Sequence, residues 1–286
     1  MGLIALSIDN VRQYADYIGM DVADNFGRSV YRGFLYSLPN EEEPKAGMVF
    51  RLKKTGMRGE TESAIEWFRV DDRSAGEELL VVYAEMCWDE NIAKTTFAIP
   101  VKDKQTEKEL LKDTGFSVLL TEGDNILVEL SEMSALKLMS KRVVPSSIRP
   151  LKDLGPDEYR RGILECVQAG KTGLCEDLES LPKSWFEPDV SCYSEKNGAV
   201  NGLLLFHRLP SGIISIQLMV GLDADYQKVL IGLIRCFIIS MEEKYPPDTK
   251  ILLNRHNQSS LMLTENMFPR SFGIPVYSGS REETDI

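Results

Sequence analysis

Histidine is nearly absent from this chain: there are two, His207 and His256, far apart in sequence. None of the five cysteines (Cys87, Cys166, Cys175, Cys192, Cys236) forms a Cys-x-x-Cys pair, so no metal is expected. An odd, scattered set of thiols without an export signal reads as reduced, buried cysteine, not a disulfide framework. No stretch approaches the roughly 20 apolar residues of a membrane span; the richest, Val229–Met241, is broken by Gly232, Arg235 and Ser240. The start, Met1-Gly2-Leu3-Ile4, has no basic region before its apolar residues, and Leu6 stands where a myristoylation pattern has Ser or Thr. A basic block is missing too. Acidic residues outnumber basic ones in both halves and the formal net charge is −11, which disfavours nucleic acid as a partner. These absences predict a soluble, cytoplasmic protein with no membrane partner.

What is present is ordinary globular material. The chain has 286 residues, 43% of them apolar, enough for two domains of common size, each with its own core. In the second half, Ile148–Leu151 reads as an edge strand and Gly155-Pro156-Asp157 opens a helix with Tyr159, Ile163, Leu164 and Val167 on one face. A short helix follows at Glu176–Leu181. Strand-like runs at Val190–Ser194, Val200–Leu209 and Gly212–Val220 form a meander, the first turn marked by Asn197-Gly198. Tyr226–Tyr245 carries Val229, Leu230, Leu233, Ile234, Phe237, Ile238 and Met241 at helical period. A strand at Lys250–Asn254, a helix at Gln258–Asn266, an extended piece at Ile274–Tyr277 and a polar, frayed tail from Ser278 complete the chain.

The first half repeats this order. A strand at Leu3–Ile8 precedes helices at Val11–Ile18 and Val22–Phe26, then strands at Tyr31–Leu38, Ala46–Lys53 and Glu62–Val70, with a loop at Thr55–Glu60. A helix from Ala75 to Trp88, a strand at Lys94–Val101 and a helix at Glu107–Thr114 follow, and Val118–Leu120 with Ile126–Leu130 closes as a hairpin. The fold class predicted is α/β (a mixed α+β sheet), in two domains of residues 1–143 and 144–286. Each is a mostly antiparallel twisted sheet flanked by helices; a single larger domain is the competing arrangement.

Three segments carry a resemblance: Lys108–Phe116, a helix ending in Gly115-Phe116; Ile148-Arg149-Pro150-Leu151, an opening strand; and Asn254–Phe268, a strand and last helix. Together with the element order they resemble the GNAT superfamily of N-acetyltransferases, in tandem. The resemblance implies that the fourth strand and the strand after the central helix splay apart to receive the pantetheine arm of acetyl-CoA. It also implies a loop of small residues at the start of the central helix, where backbone N–H groups bind pyrophosphate. Carried onto this chain, the acetyl-CoA-binding positions are Val70, Arg73, Ser74 and Gly76 in the first half and Val220, Lys228 and Asn257 in the second. The chain would take an acyl-CoA and an amine acceptor.

The residues also depart from the family pattern. Arg73-Ser74-Ala75-Gly76 matches Arg-x-x-Gly, yet Glu78 stands where a small residue belongs, and Asp71, Asp72, Glu77 and Glu78 crowd the helix start, which equally reads as an acid-capped helix. Val220–Val229 has no Gly-x-Gly, and Asp223 or Asp225 would serve as an N-cap there. The family's tyrosine position falls on Leu111 in one half and Thr264 in the other, so no phenolic acid, and no catalytic residue, is assigned. Glu66 offers a base and equally an ordinary strand position facing solvent; Asn257 offers a ligand and equally a helix cap. Tyr226 and His256, at helix starts, read as capping or surface residues, and Cys87 and Cys236, on apolar helix faces, lack a base partner. The second half has only Ser271–Gly279 in place of a closing hairpin, an edge that the other domain or a second copy, in a homodimer, would cover. Two functions stay open: an acyl-CoA-dependent N-acyltransferase with one domain as scaffold, or a catalytically degenerate tandem that binds a ligand or a protein. A splay between Glu66–Val70 and Lys94–Val101, or between Ile214–Val220 and Lys250–Asn254, favours the first; continuous pairing favours the second.

Overall fold

The apolar periodicities resolve into two α/β units in a computed structural model that describes residues 2–55, 60–223 and 226–283. In chain order the first elements are β1 (Gly2–Leu6), α1 (Ala15–Ile18), α2 (Met20–Asp24), β2 (Tyr31–Ser37), β3 (Ala46–Thr55), β4 (Glu60–Val70) and α3 (Arg73–Asp89). Then come β5 (Ile92–Pro100), α4 (Gln105–Asp113), β6 (Leu119–Glu122), β7 (Asn125–Glu129), α5 (Leu130–Ser134), β8 (Ile148–Pro150) and α6 (Pro156–Gln168). The chain ends with β9 (Cys192–Lys196), β10 (Ala199–Arg208), β11 (Ile214–Gly221), α7 (Tyr226–Lys244), β12 (Lys250–Asn254), α8 (Gln258–Met267) and β13 (Pro275–Glu282). One unit comprises residues 1–123 and 274–286, the other 124–273.

The first unit is a seven-stranded sheet in the order β1-β2-β3-β4-β5-β13-β6. All neighbours are antiparallel except β4 and β5. Residues Leu79, Leu80, Tyr83 and Cys87 recur at helical spacing along α3 and are buried, packing with Leu110 and Leu111 of α4 against Phe50, Ile65, Phe68 and Ile99 of the sheet. Burial of each large apolar side chain stabilises the fold by roughly 1.5–3 kcal/mol. The Tyr83 hydroxyl, taken inside with that stripe, donates to Ser63 Oγ at 2.6 Å and lies 3.2 Å from Thr95 Oγ1, so the phenol ties β4 to β5 with its polar group satisfied. Val11, Ile18 and Phe26 form a second cluster with Leu35 and Val49.

The second unit is a six-stranded sheet, β7-β12-β11-β10-β9-β8, antiparallel except for β11 and β12. The unbroken apolar run Leu203–Phe206 is explained by cover on both faces: Leu204 and Phe206 pack with α7, Leu203 and Leu205 with α6. Phe237 of α7 stacks on Phe206 with ring centroids 3.8 Å apart.

The closing strands differ from the sequence expectation. β6 and β7 are not a hairpin. β6 pairs with β13, and β7 pairs with β12 in the other sheet. The chain commits at Gly123-Asp124: Gly123 N donates to Ile274 O at 3.0 Å, while Asp124 O accepts from Arg255 N at 2.7 Å. Of the tail from Ser278, expected to fray, Ser278–Glu282 is the second half of β13, paired with β5 throughout and with β6 at Ser278; residues 284–286 lie outside the described residues. The side chains of this strand take part, with Thr121 Oγ1 2.7 Å from Ser278 Oγ and Lys94 2.7 Å from Glu282. The edge expected to be open in the second sheet, beside β12, is occupied by β7. The division between units therefore falls after residue 123, where 143/144 was expected, and 274–286 returns to the first unit. The helix expected at Glu176–Leu181 is a single 3-10 turn, Leu178–Ser180. Residues 56–59 of the expected Thr55–Glu60 loop lie outside the described residues. Among the described residues no helix is long and apolar enough to cross a membrane, and no cluster of His, Cys, Asp and Glu could hold a metal.

Candidate functional site

Both sheets open at the same place. In the first unit the parallel pairing of β4 with β5 runs from Thr61 opposite Ile92 to Ile65 opposite Phe97 and stops, although β4 continues to Val70 and β5 to Pro100. The next residue, Glu66, has no partner in the register with β3, where Val49 faces Trp67 and Phe50 faces Ile65. In the second unit β11 pairs with β12 only at Ile214–Ile251 and Ser215–Leu252, then runs on to Gly221. Gln217 is the unopposed residue on its β10 side. A bulge bends its strand and sharpens the local twist, so each unit has a cleft that begins where the bulge turns the strand away from its parallel neighbour. The tandem repeat is thus present in register details as well as in element order.

The first cleft is filled from within. Lys104 Nζ donates to Phe68 O at 2.7 Å and to Glu107 Oε1 at 2.6 Å, and that carboxylate accepts from Val70 N at 3.1 Å. The carbonyl of one strand residue and the N–H two residues on point to the same edge, so Lys104 and Glu107 satisfy two consecutive groups on the edge that β5 has left. Glu107 is only 3% exposed. Neither residue was singled out in the sequence, where an i,i+3 Lys–Glu pair at a helix start is commonplace; an acidic residue buried in the first turn shows only in three dimensions.

The start of α3 is likewise occupied. Asp72 Oδ1 accepts from Ala75 N at 3.0 Å and from Ser74 Oγ at 2.9 Å. These hydrogen bonds, the backbone one foremost, hold its carboxyl below the usual aspartate range. Arg73 pairs with Glu77 at 3.0 Å and Asp113 at 2.8 Å. A Cβ at Gly76 would lie 2.8 Å from Val70 Cγ1 and from Leu110 Cδ1. That glycine lets the helix sit close on the strand and does not bare backbone to a ligand. Val70, Arg73, Ser74 and Gly76 are therefore together, held by one another and by neighbouring carboxylates. Glu66, at the bulge, accepts from the Tyr31 hydroxyl at 2.8 Å and pairs with Arg51 at 2.9 Å.

The second unit differs in charge at the equivalent loop. Lys171 Nζ donates to Gly221 O at 2.9 Å, and Lys196 Nζ lies 2.6 Å from Asp223 Oδ2, which also accepts from Asn201 Nδ2 at 3.2 Å. Lys196 first and Asn201 second hold the Asp223 carboxyl below its ordinary value. Asn201 Oδ1 is buried without a hydrogen-bond partner among the described residues. Val220 is buried beside this loop, and Lys228 lies in the first turn of α7. Asp223 acts here through Lys196 and Asn201, and its carbonyl accepts from Tyr226 N; Asp225 lies outside the described residues.

At the bulge, Leu174 N donates to Gln217 O at 3.0 Å, Cys175 Sγ donates to Gln217 Oε1 at 3.5 Å, and Gln217 Nε2 donates to Ser215 Oγ at 3.2 Å. Gly173 permits this approach: its φ is +62° and a Cβ there would stand 2.5 Å from Gln217 O. Sequence reading missed Gly173, Cys175 and Gln217; the bulge that joins them has no local signature.

Asn257 caps α8, its Oδ1 accepting from Ser260 N at 2.9 Å. With Asn254 and His256 it forms an exposed hydrogen-bonded chain at the end of β12. Leu111 is fully buried, and Thr264 Oγ1 donates back to Ser260 O at 2.9 Å; neither offers an acid. All five cysteines are buried, and none forms a disulfide among the described residues. Burial pushes the Cys87 thiol up to about 11, so it is protonated at neutral pH. The Cys192–Cys236 hydrogen bond lowers Cys236, while burial raises Cys192.

No protein-family model matches the sequence, and no curated protein matches it. Solved structures do. A tandem GNAT protein from the clavulanic acid biosynthesis pathway, solved without acetyl-CoA, superposes at TM-score 0.64 with 9% identity, covering 100% of this chain and 99% of its own. A GCN5-related N-acetyltransferase from Sphaerobacter thermophilus gives 0.58 at 11% identity, covering 98% and 96%. The glucosamine N-acetyltransferase region of a fungal multi-domain GH3 β-N-acetylglucosaminidase gives 0.63 at 10% identity; the match covers 98% of this chain and 38% of that one. At such identities the likeness is one of fold.

Proposed function

We propose that this chain, which carries the GNAT fold twice, is an acyl-CoA-dependent N-acyltransferase whose second unit takes the acyl-CoA and whose first unit is a scaffold. The contrast in charge between the two clefts carries the reading, since backbone groups are held from within in both: in the second, Leu174 N donates to Gln217 O and Lys171 Nζ to Gly221 O. In the first, Phe68 O and Val70 N are already bonded to Lys104 and Glu107, and Asp72 occupies the helix start. A pyrophosphate there would meet Asp71, Asp72, Glu77 and Glu78. In the second, Lys171, Lys196 and Lys228 belong to or hold the β11–α7 junction, and the helix N-terminus adds positive partial charge. The residues there fit an acyl-CoA; those of the first unit do not.

The donor, acetyl-CoA in the simplest case, supplies an acyl thioester. This chain's residues would bind and orient it. The edge of β11 beyond Ser215 would hold the arm, and Lys171 and Lys228 would offset phosphate charge. The hydrogen-bonded set Cys175–Gln217–Ser215 would fix the bulge beside the acyl carbon. The amine would attack the acyl carbon, forming the amide and releasing the thiol of coenzyme A, with the amine's proton passing to solvent.

One observation favours the alternative of a degenerate, ligand- or protein-binding tandem: the last helix of each unit presents a buried Leu111 or a self-bonded Thr264 in place of an acid. Calorimetric titration with acetyl-CoA separates the two. Binding is expected, weakened about tenfold by Lys228→Glu, the effect of about 1.4 kcal/mol of lost attraction, and untouched by Arg73→Glu in the first unit. No heat and no thermal stabilisation at millimolar acetyl-CoA would overturn the enzyme reading.

A further inference from the structure

The outward face of α3 is unlike that of a solvated helix. Its inward stripe is spent on the core, yet Val81 is 55% and Trp88 68% exposed on the other side. With Ala84, Glu85, Asp89 and Glu283 they line a groove of about 640 Å³ in the first unit. Val81, Glu85 and Trp88 are four and three residues apart, so they stand in one column. The charge in the groove has one sign. Glu85 and Asp89 are exposed and make no ion pair among the described residues. Glu283 is buried, and its charge is answered by Arg281, which donates to it from Nε at 3.2 Å and from a terminal nitrogen at 2.7 Å.

We infer that this groove docks a basic peptide segment of a partner protein, with a lysine or arginine side chain laid over the Trp88 indole and its charge between Glu85 and Asp89. An aromatic face attracts a cation, and more strongly once water leaves. The two carboxylates, one helical turn apart, would answer the same charge while rejecting phosphate, nucleic acid and acidic peptides. The apolar wall of Val81 and Ala84 accepts the methylene stem that such side chains carry. Nothing in this inference depends on acyl-CoA binding, and its test uses none.

Trp88 is the reporter. In a Trp67→Phe/Trp185→Phe background it is the remaining tryptophan, and titration with hexalysine and hexaarginine should quench or shift its emission saturably. Binding to the native chain, followed by calorimetry, should weaken about tenfold in Trp88→Ala and in Glu85→Gln/Asp89→Asn. It should also fall as salt rises from 0.05 to 0.5 M, and hexaglutamate should not bind. Because the whole chain is acidic, Glu42→Gln/Glu43→Gln serves as the control that removes equal charge elsewhere; it should bind as the native chain does. Equal weakening in that control, undiminished binding in Trp88→Ala, or no binding of either cationic peptide would overturn the proposal. Trp88 is largely in solvent, so circular dichroism and the unfolding temperature of Trp88→Ala should match the native chain.

Discussion

Replacing Lys104 by Met isolates what fills the first cleft. The substitution keeps a long apolar stem but removes the donor to Phe68 O and the counter-charge of Glu107. Breaking a buried pair by deleting one partner costs roughly 3–5 kcal/mol, because the other charge is left uncompensated. Lys104 is 18% exposed at its side chain while Glu107 is 4%, so water can partly reach the vacated position and about 2–4 kcal/mol is expected. Lys104→Met/Glu107→Gln should recover about 1–2 kcal/mol of that, since a neutral amide oxygen still accepts from Val70 N without a buried charge. Urea unfolding in a Trp185→Phe background reads the first unit alone, because Trp67 and Trp88 both belong to it. Hydrogen exchange gives a second readout: the Val70 amide should lose protection in Glu107→Ala and keep it in Glu107→Gln. A cost below about 0.5 kcal/mol for Lys104→Met, or a double variant as unstable as the sum of the two singles, would refute the buried-pair account.

Three further outcomes are expected. Gly173→Ala places a Cβ 2.5 Å from Gln217 O at φ +62° and should destabilise the second unit by about 1–3 kcal/mol; an unchanged urea midpoint would count against the close approach at the bulge. Asp72 has a folded-state pKa below its ordinary 3.8, so its capping contribution is complete above that value and is lost as pH falls through the lower, folded-state one. The difference in unfolding temperature between the native chain and Asp72→Ala should therefore be full at pH 6 and shrink below about pH 4, and a difference that grew on acidification would contradict the sign. The five buried thiols should resist a disulfide reagent at pH 8 in the native chain and react together in denaturant; a fast-reacting thiol in the native state would refute their burial.

Element order was legible because it rests on periodicity. Leu233, Phe237 and Met241 recur at helical spacing and pack on one side of a sheet, and Leu203–Phe206 is apolar throughout because both its faces are covered. Strand partnership was not legible. Leu119–Glu122 and Asn125–Glu129 flank a Gly-Asp pair and have the spacing of a hairpin, yet each finds a better partner elsewhere, β13 and β12. Nothing within ten residues distinguishes the two outcomes, because backbone ladders are satisfied equally well by either. The same holds for Ser278–Glu282, whose polar side chains suggested a frayed tail. Its order comes from β5 along its length and from β6 at Ser278, both more than 150 residues away in sequence.

The candidate site shows the limit more sharply. Arg73-Ser74-Ala75-Gly76 has the spacing of a phosphate loop, and the glycine suggests backbone laid bare for a ligand. In three dimensions the same glycine lies under Val70 and Leu110, the arginine is bound to Glu77 and Asp113, and Asp72 accepts from Ala75 N. A glycine that admits a helix to a strand and a glycine that admits a phosphate to a helix are one residue type at one spacing; only the atoms opposite distinguish them. Those atoms come from Val70, on the strand before the helix, and from Leu110, more than 30 residues downstream. The difference between the two units follows from this. Both keep the bulge and the splay, which are properties of the sheet, while the groups that fill or leave the cleft are set by Lys104 and α4 in one unit and by the segment after α6, Lys171 to Cys175, in the other. Removing Lys104 and Glu107 should loosen the first cleft without making it a binding site, since the four carboxylates at the start of α3 remain. Acetyl-CoA affinity should accordingly stay with Lys228 even in a chain whose first cleft has been emptied.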